Sequence, residues 1–248
     1  HYGGLPPVQK IDGSVLVLPT VSSWKNYYHW VVESLPRLRG LDDLVDEVDH
    51  ILVPGERPFH TTWLDQVGVP KEKRIVATNE THILADHLIA PTPAEPMMNG
   101  KSAIDWLQHH RPQPTRDYPK RIYVTRADSW RRHALNEDAI TKSLVHDHGF
   151  ELISLTGINA IEQAQYFAAA TSIIAPHGAA LGNVAFCKPG TKLLELFPSD
   201  FIYPQYYRLA ALAGVRYAGH SSFCRRVETD FILELDTLRP LLADFLQA

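Results

Sequence analysis

Cysteine is nearly missing: of 248 residues only Cys187 and Cys224 carry a thiol, and no C-x-x-C occurs. That excludes a disulfide framework and a cysteine-based zinc site, and it favours a reducing compartment. Long hydrophobic runs are missing too. The most apolar stretch, Tyr166 to Ala175, is broken by Thr171 and Ser172 and is too short to cross a bilayer. The amino terminus has no charged-then-apolar signal pattern. Basic charge is not in excess, with Lys+Arg 24 against Asp+Glu 28. A protein that holds nucleic acid mainly through its phosphates is therefore not expected, and an acidic ligand needs a local site. No Asp-x-Asp occurs, so the carboxylate pair that often holds a divalent metal is absent, and no metal or other cofactor is expected. His109-His110 and His146-x-His148 have no supporting cysteine or His-Glu-x-x-His pattern and read as surface histidine.

What remains is a well-cored chain of 45% hydrophobic residues, long enough for one large domain or two of about 110–120 residues. Short β-branched runs alternate with helical patterns. Strands are expected at Val15-Leu18, His50-Val53, Arg74-Ala77, His87-Ala90, Arg121-Thr125, Glu151-Leu155, Ser172-Ala175, Lys192-Leu196 and Arg216-Ala218. Helical patterns lie at Trp24-Leu35, Ala134-His148, Ile158-Ala169 and Ala179-Phe186. Several strands are apolar throughout, as strands covered on both faces must be. This is the rhythm of a parallel α/β fold. The proline-rich stretch Arg111 to Lys120 reads as a linker. It divides the chain into two α/β domains, 1–112 and 113–231. A terminal segment, 232–248, carries Leu238, Leu241, Leu242 and Phe245 at helical spacing after a candidate N-cap, Asp236.

Three segments carry residues suited to chemistry. In Ser22 to Leu38, a helix capped by Ser22 or Ser23 places Asn26, His29 and Glu33 on one polar stripe. His29 with Glu33 one turn on suits a general base and its orienting carboxylate, and equally a satisfied polar network in the core. In Thr171 to Asn183, an apolar strand runs through Pro176 and His177 into a small-residue helix start. The amides of Gly178, Ala179 and Ala180 and the helix dipole there favour a phosphate. Small residues also serve tight helix–sheet packing. Glu195, inside the apolar strand that follows, is placed either to accept ribose hydroxyls or to form an ion pair. In Arg121 to Glu137, a strand delivers Arg126, and the loop after it holds Arg131 and Arg132. Such guanidinium groups neutralise a departing diphosphate, whereas a solvated loop is the plain alternative for Arg131.

Taken together, Asn26-Tyr-Tyr-His-Trp-Val-Val-Glu-Ser-Leu-Pro-Arg-Leu38, Arg121-Ile-Tyr-Val-Thr-Arg126 with Arg131-Arg-His-Ala-Leu-Asn-Glu137, and Ala175-Pro-His-Gly-Ala-Ala-Leu-Gly-Asn183 with Leu193-Leu-Glu-Leu-Phe-Pro198 resemble the ordered signatures of glycosyltransferase family 61. The resemblance spans about Val21 to Pro198. It implies a GT-B architecture of two Rossmann-like domains facing across a cleft, the C-terminal helix packing back across them, and an inverting transferase that uses a nucleotide-diphosphate sugar. Donor contacts would come from Arg126, Arg132, His177, Gly178, Ala179, Ala180, Asn183 and Glu195, and catalysis from His29 and Glu33 with Asn26 on the acceptor side. Where the family usually reads His-Gly-Ala-Gly-Leu-Thr-Asn, this chain has Ala180 and Gly182. At this length the first domain is expected to be abbreviated or to continue upstream.

The expected partners are a nucleotide sugar and a glycan acceptor, with no nucleic acid. The expected location is the cytoplasm, at the inner face of the membrane where the acceptor is lipid-linked, and the expected role is surface or capsular polysaccharide synthesis. A non-catalytic nucleotide- or glycan-binding module is the rival reading. A hydrolase is disfavoured because Phe223 stands where the nucleophile-elbow pattern starting at Gly219 needs a second glycine.

Overall fold

The computed structural model describes residues 4–55, 57–91, 100–129, 131–223 and 230–247. Trp130, Cys224 and Ala248 lie outside them. The chain divides into two compact units, His1–His110 with Asn159–Ile161, and Arg111–Ile158 with Glu162–Ala248.

Unit 1 contains β1 (Gln9–Val17), a helical stretch to Leu38, α1 (Asp42–Glu47), β2 (His50–Pro54), α2 (Pro58–Gln66), β3 (Arg74–Ala77), β4 (Ile83–Ile89) and α3 (Lys101–His109). Its sheet runs in the order β3-β2-β1-β4 and every pairing is parallel. The order reverses at β1, so the turn after Val17 sits at the switch point where parallel α/β sheets bind ligands.

Unit 2 contains β5 (Arg121–Val124), α4 (Asp138–His148), β6 (Glu151–Ile153), α5 (Ala160–Ala169, whose first two residues cluster with unit 1), β7 (Ser172–Pro176), β8 (Lys192–Pro198), α6 (Gln205–Ala213), β9 (Arg216–Ser222) and α7 (Leu235–Gln247). Its parallel sheet has the order β6-β5-β7-β8-β9. Here the switch point lies between β5 and β7. All five residues of β7 are buried, as is β8 from Leu193 to Pro198, which accounts for sequences there that are apolar but for Ser172 and Glu195. The mixed α/β class expected from the sequence is the one found, and each expected strand overlaps one of β1–β9.

Several local expectations are corrected. The stretch Arg111 to Lys120, read as a linker, opens unit 2 and is tied down along its length. The Tyr118 hydroxyl donates to Gln165 Oε1 at 2.7 Å, Gln165 Nε2 donates to the Gln113 carbonyl at 2.6 Å, and Arg116 pairs with Glu162 at 2.6 Å. Its prolines set an extended path that packs against α5. The helix expected from Ala134 starts only at Asp138, because the preceding residues pair with the 230–233 segment. The Leu135 amide donates to the Phe231 carbonyl at 2.9 Å, and the Leu233 amide donates to Asn136 Oδ1 at 2.7 Å.

The C-terminal helix packs on the core of unit 2. Leu238 and Phe245 join Tyr123, Leu144, Phe150, Ile174 and Leu196 in one apolar cluster, all within unit 2. Asp236 lies in the first turn, where it complements the helix dipole, and is not the cap. Leu238 is fully buried, so Leu238→Ala is expected to destabilise by about 2–5 kcal/mol, read as a lowered urea midpoint. Cys187 is buried and its thiol is held protonated by that burial. Among the described residues no helix is long and apolar enough to cross a membrane.

Candidate active site

In unit 1 the candidate base stands at the switch point. The segment after Tyr28 is a π-helical turn, His29–Ser34, followed by a 3₁₀ turn, Leu35–Leu38, where an α-helix was expected. Pro36 cannot continue an α-helical ladder because it has no N–H and its ring crowds the carbonyl four residues back. The Leu35 amide reaches the Trp30 carbonyl, five residues back. Such single π turns are frequent at functional sites.

Tyr27 packs edge-on against Phe59 at 5.7 Å, and Trp30 against His60 at 5.0 Å. These contacts pin the apolar side of the turn and turn His29 outward. His29 Nδ1 and Glu33 Oε2 are 2.8 Å apart, with side chains 32% and 30% exposed, so both can be reached by a substrate. Glu33 also lies within electrostatic reach of Tyr28 and Arg37. Burial and the Glu33 charge push the Tyr28 hydroxyl well above its ordinary pKa, while burial draws Arg37 down against the pull of Glu33.

Asn26 has a structural part at this turn. Its Oδ1 accepts the Tyr28 amide at 2.9 Å, making it the helix cap in place of Ser22 or Ser23. Ser23 instead closes the turn before it, its Oγ accepting the Thr20 amide at 3.0 Å and donating to the Thr20 carbonyl at 2.8 Å. Asn26 and His29 line an open depression of 520 Å³ with Val21, Ser22, Trp24, Lys25 and Asn79.

His60, fully buried, secures this loop with a 2.9 Å bond between Nε2 and the Ser23 carbonyl. Burial lowers its pKa, and likewise that of His220. Below about pH 6.5 the unfolded chain therefore takes up protons that the folded chain refuses, so stability falls as pH drops. His60→Gln is expected to flatten this decline in thermal melts between pH 8 and 5. An unchanged slope would contradict it.

In unit 2, Arg126 follows β5 and His177 follows β7, the two strands that flank the switch point. Arg126 lies against Gly178, where a Cβ would collide with the guanidinium. A glycine is thus required there for close approach, not for an unusual backbone angle. The Arg126 Nη2 donates to Ser129 Oγ at 2.7 Å and to the Arg131 carbonyl at 3.2 Å. Arg132, at a positive φ of 59°, is 9% exposed, and its guanidinium stands 4.8 Å from the Phe201 ring centre. Burial first, then Arg126 and Arg131, lower the Arg132 pKa to about 10, and burial, with a further push from Arg131, lowers that of Arg126. Among the described residues the buried Nε of neither Arg126 nor Arg132 finds an acceptor. Like charges crowded together with unsatisfied donors are costly unless an anion joins them.

His177, 3% exposed, places Nδ1 2.6 Å from Glu195 Oε1. Phe197, Phe201 and Tyr206 surround its ring at 5.6, 5.3 and 5.1 Å, and the Tyr206 hydroxyl donates to the Gly178 carbonyl at 2.6 Å. The ribose contact expected of Glu195 is corrected. The residue is 0% exposed, with one oxygen on His177 and the other accepting from the Tyr217 hydroxyl at 2.8 Å.

Asn183 is likewise fully buried, its Nδ2 donating to the Ala180 carbonyl at 3.0 Å, so it braces the turn and does not face a ligand. The helix after Gly178, Ala179–Phe186, is 3₁₀ and not α. Gly178 itself is buried beneath Arg126, whereas Ala179 and Ala180 are partly exposed, which leaves those two as the accessible start of the helix. Tyr206 and Tyr217 were not anticipated, since neither belongs to a local motif. Tyr206 sits on α6, a helix the sequence pattern did not reveal.

Gly219 to Ser222 continues β9 as a strand, so no nucleophile elbow forms there. Among the described residues no three His, Cys, Asp or Glu side chains gather where they could hold a metal ion.

The model of the glycosyltransferase 61 family matches residues 27–194, a span that includes His29, Glu33, Arg126, Arg132 and His177. The chain belongs to that family and is a glycosyltransferase. A search of curated proteins finds no match. As a glycosyltransferase it binds a sugar donor and an acceptor.

Proposed function

We propose that the protein is an inverting transferase of the GT-B type, which moves a sugar from a nucleotide-diphosphate sugar to a glycan hydroxyl in surface polysaccharide synthesis. The carrying observation is the cationic cluster at the β5/β7 switch point, where Arg126 and Arg132 hold buried Nε–H groups without acceptors. A diphosphate supplies the missing acceptors and the opposing charge. His177, whose Nδ1 is held by Glu195, adds an Nε2–H donor when its ring carries both protons, and the amides of Ala179 and Ala180 add backbone donors.

In unit 1, His29 is the base. Glu33 holds Nδ1, which leaves Nε2 for the acceptor hydroxyl. The acceptor proton passes to His29 Nε2 as the oxygen attacks the anomeric carbon. The bond from that carbon to the diphosphate oxygen breaks on the opposite face, inverting the anomeric centre. The electron pair leaves with the diphosphate, where Arg126 and His177 stabilise the charge. Arginine performs the neutralising role that a divalent metal has in other transferases, so transfer is proposed to proceed without added metal. Collapse of activity in chelator with recovery on manganese would overturn that point. The first domain, 1–112, would serve the acceptor and the second, 113–231, the donor, at the cytoplasmic face of the membrane where the acceptor is lipid-linked.

The test is to mix nucleotide sugars with glycan acceptors and assay free nucleoside diphosphate. Release that depends on acceptor supports the reading. A non-catalytic binding module would bind the nucleotide and release none.

A further inference from the structure

We propose that Tyr217 is a positioning residue of the donor site, its hydroxyl holding Glu195 in the orientation that aims His177 at the diphosphate. This rests on the role given to His177 above and reaches a residue outside the span matched by the family, 27–194.

Aromatic neighbours, Phe197, Phe201 and Tyr206, surround the His177 ring. Such contacts do not distinguish a ring from the same ring flipped by half a turn. Selection falls to the Nδ1 contact with Glu195 Oε1 at 2.6 Å. Glu195 is in turn free to rotate about its last side-chain torsion, which is broad and nearly two-fold. What fixes that torsion is the second oxygen, which accepts from the Tyr217 hydroxyl at 2.8 Å. Without the hydroxyl, Oε2 would be a fully buried acceptor with no donor, and the carboxylate would be drawn to compete for the histidine with both oxygens.

The strand is built to admit this contact. Gly219 lies beside Glu195 in the β8–β9 register, two residues from Tyr217 and so on the same face of β9. A Cβ at Gly219 would stand 3.0 Å from the Tyr217 hydroxyl oxygen and 3.1 Å from Phe197 Cε2. Glycine leaves room for the hydroxyl to reach the carboxylate. Tyr207 holds the Tyr217 ring edge-on at 5.6 Å. Burial and the nearby Glu195 charge raise the hydroxyl pKa well above its ordinary value, so it remains a donor at any working pH.

Tyr217→Phe keeps the ring and removes only the hydroxyl. In protein labelled with ¹⁵N-histidine, with His177 identified by comparison with His177→Gln, the variant is expected to change the Nδ1 and Nε2 shifts of His177. Affinity for inorganic pyrophosphate, measured by calorimetry, should fall roughly five- to tenfold. Gly219→Ala, which presses on the same hydroxyl while leaving the tyrosine in place, should produce the same spectral change in smaller measure. It serves alone if Tyr217→Phe does not fold. Arg126→Ala is the reference: it weakens pyrophosphate binding but leaves the His177 shifts as they are. Unchanged His177 shifts in Tyr217→Phe and Gly219→Ala would overturn the proposal, whatever happens to melting temperature. If wild type fails to bind pyrophosphate while the hydroxyl still governs the His177 shifts, the donor-site reading falls and the positioning of His177 by Tyr217 stands.

Discussion

Replacing His29 with alanine is expected to slow sugar transfer by about 10²–10⁴-fold, the usual contribution of a placed general base. Nucleotide affinity should stay within about twofold, because the base touches the acceptor hydroxyl and not the departing diphosphate. Glu33→Gln leaves His29 in place but removes the charge from its partner, so an intermediate loss is expected. The side chains of both are about one-third exposed, and neither fills the core, so lost activity would not reflect a collapsed fold. Calorimetry together with a steady-state assay separates the two effects. A His29→Ala enzyme that kept turnover and lost nucleotide affinity would reverse the assigned roles.

Arg126→Ala should act on the other half of the reaction. Removing one preorganised donor from a developing anion typically costs about 3–4 kcal/mol of transition-state stabilisation, roughly 10²–10³ in rate. Nucleotide affinity should fall in the same variant, because the guanidinium meets the diphosphate in the ground state too. The substitution also removes crowding: Arg131 and Arg132 would no longer face a third cation. Arg126→Ala is therefore expected to retain or raise melting temperature while losing function. A variant that lost stability but bound nucleotide normally would make Arg126 a packing residue.

Much of this was legible in the sequence. The strand positions could be read because both sheets are parallel and their strands are short apolar runs between turn residues. His29 and Glu33 were legible as a pair because four-residue spacing keeps them adjacent whether the turn is α or π. The π geometry itself was not, since it depends on how the chain accommodates Pro36. The capping by Asn26 was not legible for a related reason: an Asn just before a helix is as well suited to capping as to binding, and only the fold shows its Oδ1 on the Tyr28 amide.

Glu195 shows where reading one strand at a time runs out. Its charge marked it as a residue needing partners, but the partners lie on the loop after β7 and on β9, adjacent only once the sheet assembles. Tyr206 and Tyr217 went unnoticed for the same reason. Arg131 and Arg132 were visible as charges, whereas the lowering of the Arg126 and Arg132 pKa values, chiefly by burial, arises from the fold of the loop after β5.

The central claim is that a diphosphate docks against Arg126 and the amides of Ala179 and Ala180 at the switch point of the second sheet. It is tested most directly by calorimetric titration of nucleoside mono- and diphosphates into wild type and Gly178→Val, whose side chain would drive the Arg126 guanidinium from its place. The expected result is that diphosphates bind wild type more tightly than monophosphates and that Gly178→Val loses this preference. Equal diphosphate affinity in the folded variant and in wild type would contradict the claim.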